Sequence, residues 1–190
     1  MTDWVDIEKK LKEFRVSGKI PLKVRKEELK IVEERNIQTI NNFKICQKML
    51  ESIKWEHMPP SEEALLKLTY ILFLIEGLLA FYINAISYAL LTSEHHDIWF
   101  DRKQKFVSSF EELCEVSLSM KLKFLDNHSF LFFSEICPVD MRNAVAHQNF
   151  KIEDDGTVHI KNKKFTKQDS ENKIHELTEL LNLLGEIFAQ

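Results

Sequence analysis

Apolar residues recur at spacings of three and four along most of the chain, the signature of helices with one buried face. Trp4, Ile7, Leu11 and Phe14 predict a short amphipathic helix over 3–15, broken by Ser17-Gly18 and Pro21. This segment, residues 1–20, reads as an accessory helix that caps the core or packs on a second subunit. Residues 21–190 read as a single helical-bundle domain. From about 23 to 55, Leu29, Val32, Ile40, Phe43, Cys46, Met49, Leu50 and Ile53 form a stripe, with Glu27, Glu28, Lys30, Glu33 and Glu34 opposite. That pattern predicts a long surface helix with a solvated outer face.

Met58-Pro59-Pro60-Ser61 ends one helix and starts the next, with Ser61 the expected N-cap and Glu62 and Glu63 complementing the helix dipole. Residues 64–91 are then apolar nearly all round. The run is long enough to span a bilayer. Lys67, Glu76 and Asn84 interrupt it and no basic cluster flanks it, so it reads as a buried central helix and no membrane partner is expected. At 100° per residue, Thr69, Glu76 and Ser87 fall within about 20° of one another in projection, a thin polar stripe on an apolar rod. A carboxylate buried there needs a cation or donors. Arg142 is one candidate for Glu76; a wet seam or a dimer contact is the other.

Thr92 to Asp101 reads as a loop holding His95-His96-Asp97. Adjacent histidines diverge and no third ligand follows at a metal-site spacing, so no metal is expected. Residues 102–125 resume helical spacing, with a basic start at Arg102, Lys103 and Lys105. Phe130 to Ile136 leads into a further helix beginning near Pro138. Alternation in 150–153 and 157–160 flanks Asp155-Gly156, a pair favoured at type I′ turns, and predicts a β-hairpin. Lys161, Lys163 and Lys164 make its exit the most basic place in the chain. Thr166 with Asp169 resembles a capping box that opens a last amphipathic helix. The expected fold is therefore mostly all-α, an up-down helical bundle with a short β-hairpin before the last helix.

Composition agrees with that reading. Only four glycines and four prolines in 190 residues leave little turn material for a many-stranded sheet. The net charge of −4 gives no overall drive toward nucleic acid, so RNA binding would need a local cation cluster. Cys46, Cys114 and Cys137 are odd in number and widely spaced, which argues against a disulfide framework and suits a reducing cytoplasm. The N-terminus has no basic stretch ahead of an apolar run and does not read as a signal peptide.

One stretch concentrates potentially reactive groups: Met141-Arg142-Asn143-Ala144-Val145-Ala146-His147. Asn143 and His147, four apart, share a helix face, whereas Arg142 and His147 diverge by roughly 140°. An arginine, a polar residue directly after it and a histidine five places on resemble the signature of HEPN domains, a helical family of RNA-cleaving and nucleotide-binding proteins. Residues 149–157 and the closing helix add to the resemblance, which covers roughly 25–190. In the paired-antitoxin subset of that family a tyrosine sits two places after the histidine; here that place is Asn149.

The resemblance implies a metal-independent endoribonuclease without cofactors, a toxin or defence protein, in which the ribose 2′-hydroxyl attacks the adjacent phosphate. His147 would move protons, Arg142 would stabilise the charged phosphorane, Asn143 would orient His147 or the phosphate, and Glu76 would hold Arg142. Lys161, Lys163 and Lys164 would gather the RNA backbone. A single motif histidine per chain calls for a homodimer that brings two together. An antitoxin protein is a further expected partner, and DNA is not. The competing reading is a non-catalytic helical module that binds RNA, a nucleotide or a partner protein. On it, Arg142 and His147 sit apart on outer faces.

Overall fold

The apolar run at 64–91 lies in one uninterrupted helical rod in the computed structural model, which describes residues 3–16, 26–93, 107 and 109–188. The rod consists of α3 (Pro60–Phe73), a π turn (Leu74–Leu79) and α4 (Ala80–Ser93). Leu68, Ile71, Leu74, Ile75, Leu79, Ile83 and Ile86 along it are 0% exposed. Each such side chain contributes about 1.5–3 kcal/mol by leaving water. Among the described residues, Pro60–Leu91 is the one helical stretch long and apolar enough to cross a membrane, by length and composition.

The other elements wrap this rod. α9 (Lys167–Phe188) lies along α3 and the π turn, and α1 (Trp4–Val16) packs on α9, while α8 (Val139–Ala146) lies on α3. α5 (Phe110–Glu115) and α6 (Leu118–Asn127) pack on α4, α7 (Phe132–Ile136) packs on α6, and α2 (Lys26–Glu51) crosses the π turn and α4. The N-terminal helix caps the core: Leu11 is fully buried and Phe14 meets Phe130 edge-on, ring centroids 5.3 Å apart. α2 is shallower than its stripe suggests. Met49 stands 62% exposed, and Ile40, Phe43, Cys46 and Leu50 are only half-buried.

Several boundaries differ from expectation. α3 starts one residue before Ser61: Pro59 is the N-cap, and its carbonyl accepts from the Glu62 and Glu63 N–H groups at 3.0 Å. Pro60 suits the first helical position because its missing N–H would have no intrahelical partner there. The helix expected over 102–125 is interrupted within its described part, where Val116 and Ser117 are extended. Ser109 caps α5 by accepting from the Glu112 N–H at 3.1 Å, and Ser117 opens α6. The segment 130–136 becomes a turn followed by the short helix α7. His95-His96-Asp97, Arg102, Lys103 and Lys105 lie outside the described residues.

The hairpin carries a third strand. β1 (Lys151–Ile152), β2 (Val158–Ile160) and β3 (Lys163–Phe165) form an antiparallel sheet in that order, with Ile152 opposite Val158 and His159 opposite Lys164. The Gly156 N–H closes onto the Glu153 carbonyl at 2.9 Å, and Gly156 sits at φ +84°. This i to i+3 bond followed by a left-handed glycine is the pattern of a longer loop with a glycine bulge, in place of the two-residue turn expected from Asp-Gly. The capping box at α9 forms as the spacing predicts: the Thr166 N–H donates to Asp169 Oδ2 at 2.7 Å, and the Asp169 N–H donates to Thr166 Oγ1 at 3.3 Å.

A buried ion network ties α3 to α9. Lys67, 7% exposed, lies 2.7 Å from Glu63 and 2.6 Å from Glu171, and Lys167 reaches Glu63 at 2.9 Å. Burial alone would push the Glu63 carboxyl up, but hydrogen bonds from Lys67 and Lys167 outweigh it, and its pKa lies below the ordinary value. Its contribution to stability is thus fully present above the unfolded carboxyl value of about 4.3 and is lost as the pH falls through the folded one. Glu63→Gln is expected to cost about 2 kcal/mol at neutral pH, because Lys67 keeps Glu171 but loses its buried partner. Denaturant melts at pH 7 and pH 3 check this: the gap between parent and variant should shrink in acid.

Candidate active site

α8 is oriented by its small buried face. Met141 and Ala144 are 1% and 4% exposed, which leaves Arg142 half-buried and Asn143, Ala146 and His147 outward. The helix ends at Ala146. His147 is its C-cap, Gln148 follows at φ +55°, the Asn149 N–H bonds the Ala144 carbonyl at 2.8 Å and the Gln148 N–H bonds Val145 at 3.2 Å. These paired bonds are a Schellman cap, which ordinarily places glycine in the left-handed position. A glutamine there costs about 1 kcal/mol. Gln148→Gly is accordingly expected to raise stability by roughly 0.5–1 kcal/mol, read as a higher denaturant midpoint at unchanged slope. A neutral or lower midpoint would show that the Gln148 side chain offsets the strain.

Glu76 comes from the π turn. Four of the six residues there, Leu74, Ile75, Leu78 and Leu79, are buried, and Glu76 and Gly77 are left facing outward. The Ala80 N–H bonds the Ile75 carbonyl, the i to i−5 pattern that admits one extra residue per turn. That extra residue breaks the projected polar stripe: Ser87 is 0% exposed, whereas the Glu76 side chain is 42% exposed. Glu76 is therefore not a buried carboxylate. Its partner is nevertheless Arg142, whose Nε donates to Glu76 Oε1 and whose Nη1 donates to Asn143 Oδ1 at 2.7 Å. Arg142, Asn143 and Glu76 thus form one hydrogen-bonded unit in which Arg142 and Glu76 lie 66 positions apart in sequence.

His147 stands outside that unit. Its backbone N–H bonds the Asn143 carbonyl at 3.0 Å, while its exposed ring has no hydrogen bond or ion pair among the described residues. The Asn143 amide oxygen serves Arg142 and not His147. Two of the expected RNA-gathering lysines are also engaged: Lys161 and Lys163 lie 2.9 and 3.4 Å from the Asp140 carboxylate, and the hydrogen bond from Lys161, helped by the charge of both lysines, holds it below the usual range. Lys164, on β3, is exposed and carries no ion pair among the described residues.

Beside the Arg142–Glu76 pair opens a cavity of about 440 Å³ that the sequence did not single out. Arg35 of α2, Asn84 of α4, Cys114 of α5 and Lys121 of α6 line it together with Glu76 and Arg142. Lys121, 4% exposed, donates to Asn84 Oδ1 at 2.7 Å and to the Cys114 carbonyl at 3.2 Å. Arg35 Nη1 and Asn84 Nδ2 both approach Cys114 Sγ, at 3.3 and 3.4 Å. Burial pushes the Lys121 ammonium below its ordinary pKa, against the attraction of Cys114 and Glu76. Asn84 was visible as an interruption of the apolar run and Lys121 as a cation on a helix, but neither carries a local motif. Behind the site, burial pushes the Cys137 thiol up to about 12, so it stays protonated and is no nucleophile. Among the described residues no group of three or more His, Cys, Asp or Glu could hold a metal ion.

No family model, curated protein or solved structure matches this chain.

Proposed function

We propose that the protein is a HEPN-type endoribonuclease acting without a metal or other cofactor, built on an up-down bundle and working as a cytoplasmic homodimer, in the manner of a toxin or defence protein. The observation that carries this reading is the Glu76–Arg142–Asn143 unit on a helix that ends at His147, whose exposed ring has no partner among the described residues. A guanidinium has five N–H donors. Glu76 and Asn143 take two, fix the plane of the group and leave the remainder for a phosphate.

In this mechanism the ribose 2′-oxygen attacks phosphorus and its proton passes to the neutral imidazole of one His147. The bond from phosphorus to the 5′-oxygen breaks, and that oxygen takes a proton from the partner's His147 in its protonated form. The products are a 2′,3′-cyclic phosphate and a 5′-hydroxyl. Arg142 stabilises the extra charge on the phosphorane through bidentate contacts. Because the His147 ring has no partner among the described residues of its own chain, a second copy of the chain is the natural source of the second imidazole. Asn149, standing where a paired toxin carries tyrosine, speaks against control by modification at that position.

The test is cleavage of mixed cellular RNA by the purified protein in excess EDTA, with His147→Ala matched for folding and oligomeric state. Cyclic-phosphate ends from the parent and none from the variant are expected. Intact RNA at high protein concentration, or equal cutting by both, would instead favour a non-catalytic module that binds RNA, a nucleotide or a protein partner through the same face.

A further inference from the structure

We infer that the cavity between α2, α4, α5 and α6 is a binding site for a phosphate ester, held by Arg35 and Lys121 at one end and bordered by Arg142 at the other. The inference stands on the cavity and its charges, and does not require that the protein cleave RNA.

Lys121 is the decisive group. An ammonium only 4% exposed would ordinarily be compensated by a carboxylate within hydrogen-bonding distance. Here its two acceptors, Asn84 Oδ1 and the Cys114 carbonyl, are both neutral, and its third N–H has no partner among the described residues. The carboxylate that acts on it, Glu76, is committed to Arg142. Arg35, although exposed, also lacks an anionic neighbour among the described residues: it meets the Cys114 sulfur at 3.3 Å and the Phe110 ring at 5.7 Å. Two cations 86 positions apart, 35 and 121, therefore line one cavity without a hydrogen-bonded carboxylate of their own among the described residues.

Among the described residues, Arg35, Lys121 and Arg142 line the cavity against Glu76 and Glu115. With Glu76 neutralised by Arg142 and Glu115 exposed, the inner part is left positive. An incoming oxyanion would satisfy the free Lys121 N–H and the Arg35 fork together, and charge-assisted bonds of this kind are strongest where water is excluded. A volume of about 440 Å³ exceeds that of a bare phosphate and suits one carried on a larger group.

Isothermal titration of the protein with inorganic phosphate, and with a 2′-O-methyl RNA 12-mer that cannot be cleaved, tests the assignment. Lys121→Met and Arg35→Gln are the site variants, and Lys44→Ala, an exposed lysine on α2, is the charge-matched control. Each site variant should lose at least about tenfold in phosphate affinity and the control less than about twofold. Lys121→Met removes a buried charge with little change of shape, so its thermal midpoint should equal or exceed the parent's; Arg35→Gln, on an exposed residue, keeps the test decisive if it does not. Displacement of phosphate by the 12-mer would identify the ester as an RNA backbone group, and retention of phosphate beside the 12-mer would identify it as a small molecule. Equal phosphate affinity in the parent and both site variants, or no binding to the parent at millimolar phosphate, would overturn the site. A parent that binds phosphate but cuts no RNA would leave the site standing and remove only the nuclease.

Discussion

Arg142→Ala is expected to lower the rate of RNA cleavage by about 100- to 1000-fold, roughly 3–4 kcal/mol of transition-state stabilisation, with little change in the melting profile. The argument is geometric. Arg142 is half-buried on α8, and its side-chain hydrogen bonds among the described residues go to Glu76 and Asn143. Its loss removes a charged donor set without opening the core, because the packing of α8 rests on Met141 and Ala144. Glu76 is a positioning residue in this account: it acts on the phosphate only through Arg142. Glu76→Ala should therefore cost about tenfold, and Glu76→Gln should recover most of that, since an amide oxygen still accepts from Nε. The pair Glu76→Ala with Arg142→Ala should be no slower than Arg142→Ala alone. Single-turnover rates on one defined RNA check all four variants. A double variant markedly slower than Arg142→Ala would end the positioning role, and an active Arg142→Ala would end the catalytic one.

Gly156→Ala is expected to be the most destabilising conservative change in the hairpin, at about 2–4 kcal/mol. Gly156 is buried at φ +84°, a conformation that costs an L-residue about 1–2 kcal/mol by itself. An added Cβ would also lie 2.8 Å from the backbone oxygen of Pro60, the first residue of α3. Backbone cannot rotate away as a side chain can, so the hairpin tip must lift off the helix start. The consequence reaches the site, because Lys161, which follows β2, and Lys163 on β3 hold Asp140 on α8. Urea melts of parent and variant measure the effect. A change under about 0.5 kcal/mol would mean that the tip moves freely, and that the hairpin does not brace α8.

Much of this could be read before any coordinates. Trp4, Ile7, Leu11 and Phe14 predicted α1 because helix periodicity is a property of neighbours in sequence, and Ile7, Leu11 and Phe14 are indeed buried. Thr166 and Asp169 marked the start of α9 because a cap is made within four residues. The pairing of Glu76 with Arg142 was legible for a cruder reason: a carboxylate within an apolar run needs a cation, and the motif offered one. The route was right and one premise was not, since Glu76 is exposed.

What escaped were features settled by packing. The π turn inserts a residue into the rod because Leu74, Ile75, Leu78 and Leu79 all find burial against α2, α4 and α9, and no local pattern announces that insertion. β3 was read as a lysine-rich exit because a three-residue edge strand is defined by its partner, β2, and not by its own alternation. Lys161 and Lys163 looked free until Asp140 was beside them. The cavity of Arg35, Asn84, Cys114 and Lys121 draws one residue from each of four helices. The chain by itself determined the long helices, the hairpin, the cap of α9 and the short motif on α8, all of them set by interactions within a few residues. Only the tertiary structure decided which charges are paired, where the rod shifts register and which cations are left facing a cavity, because those depend on side chains that meet across tens of positions.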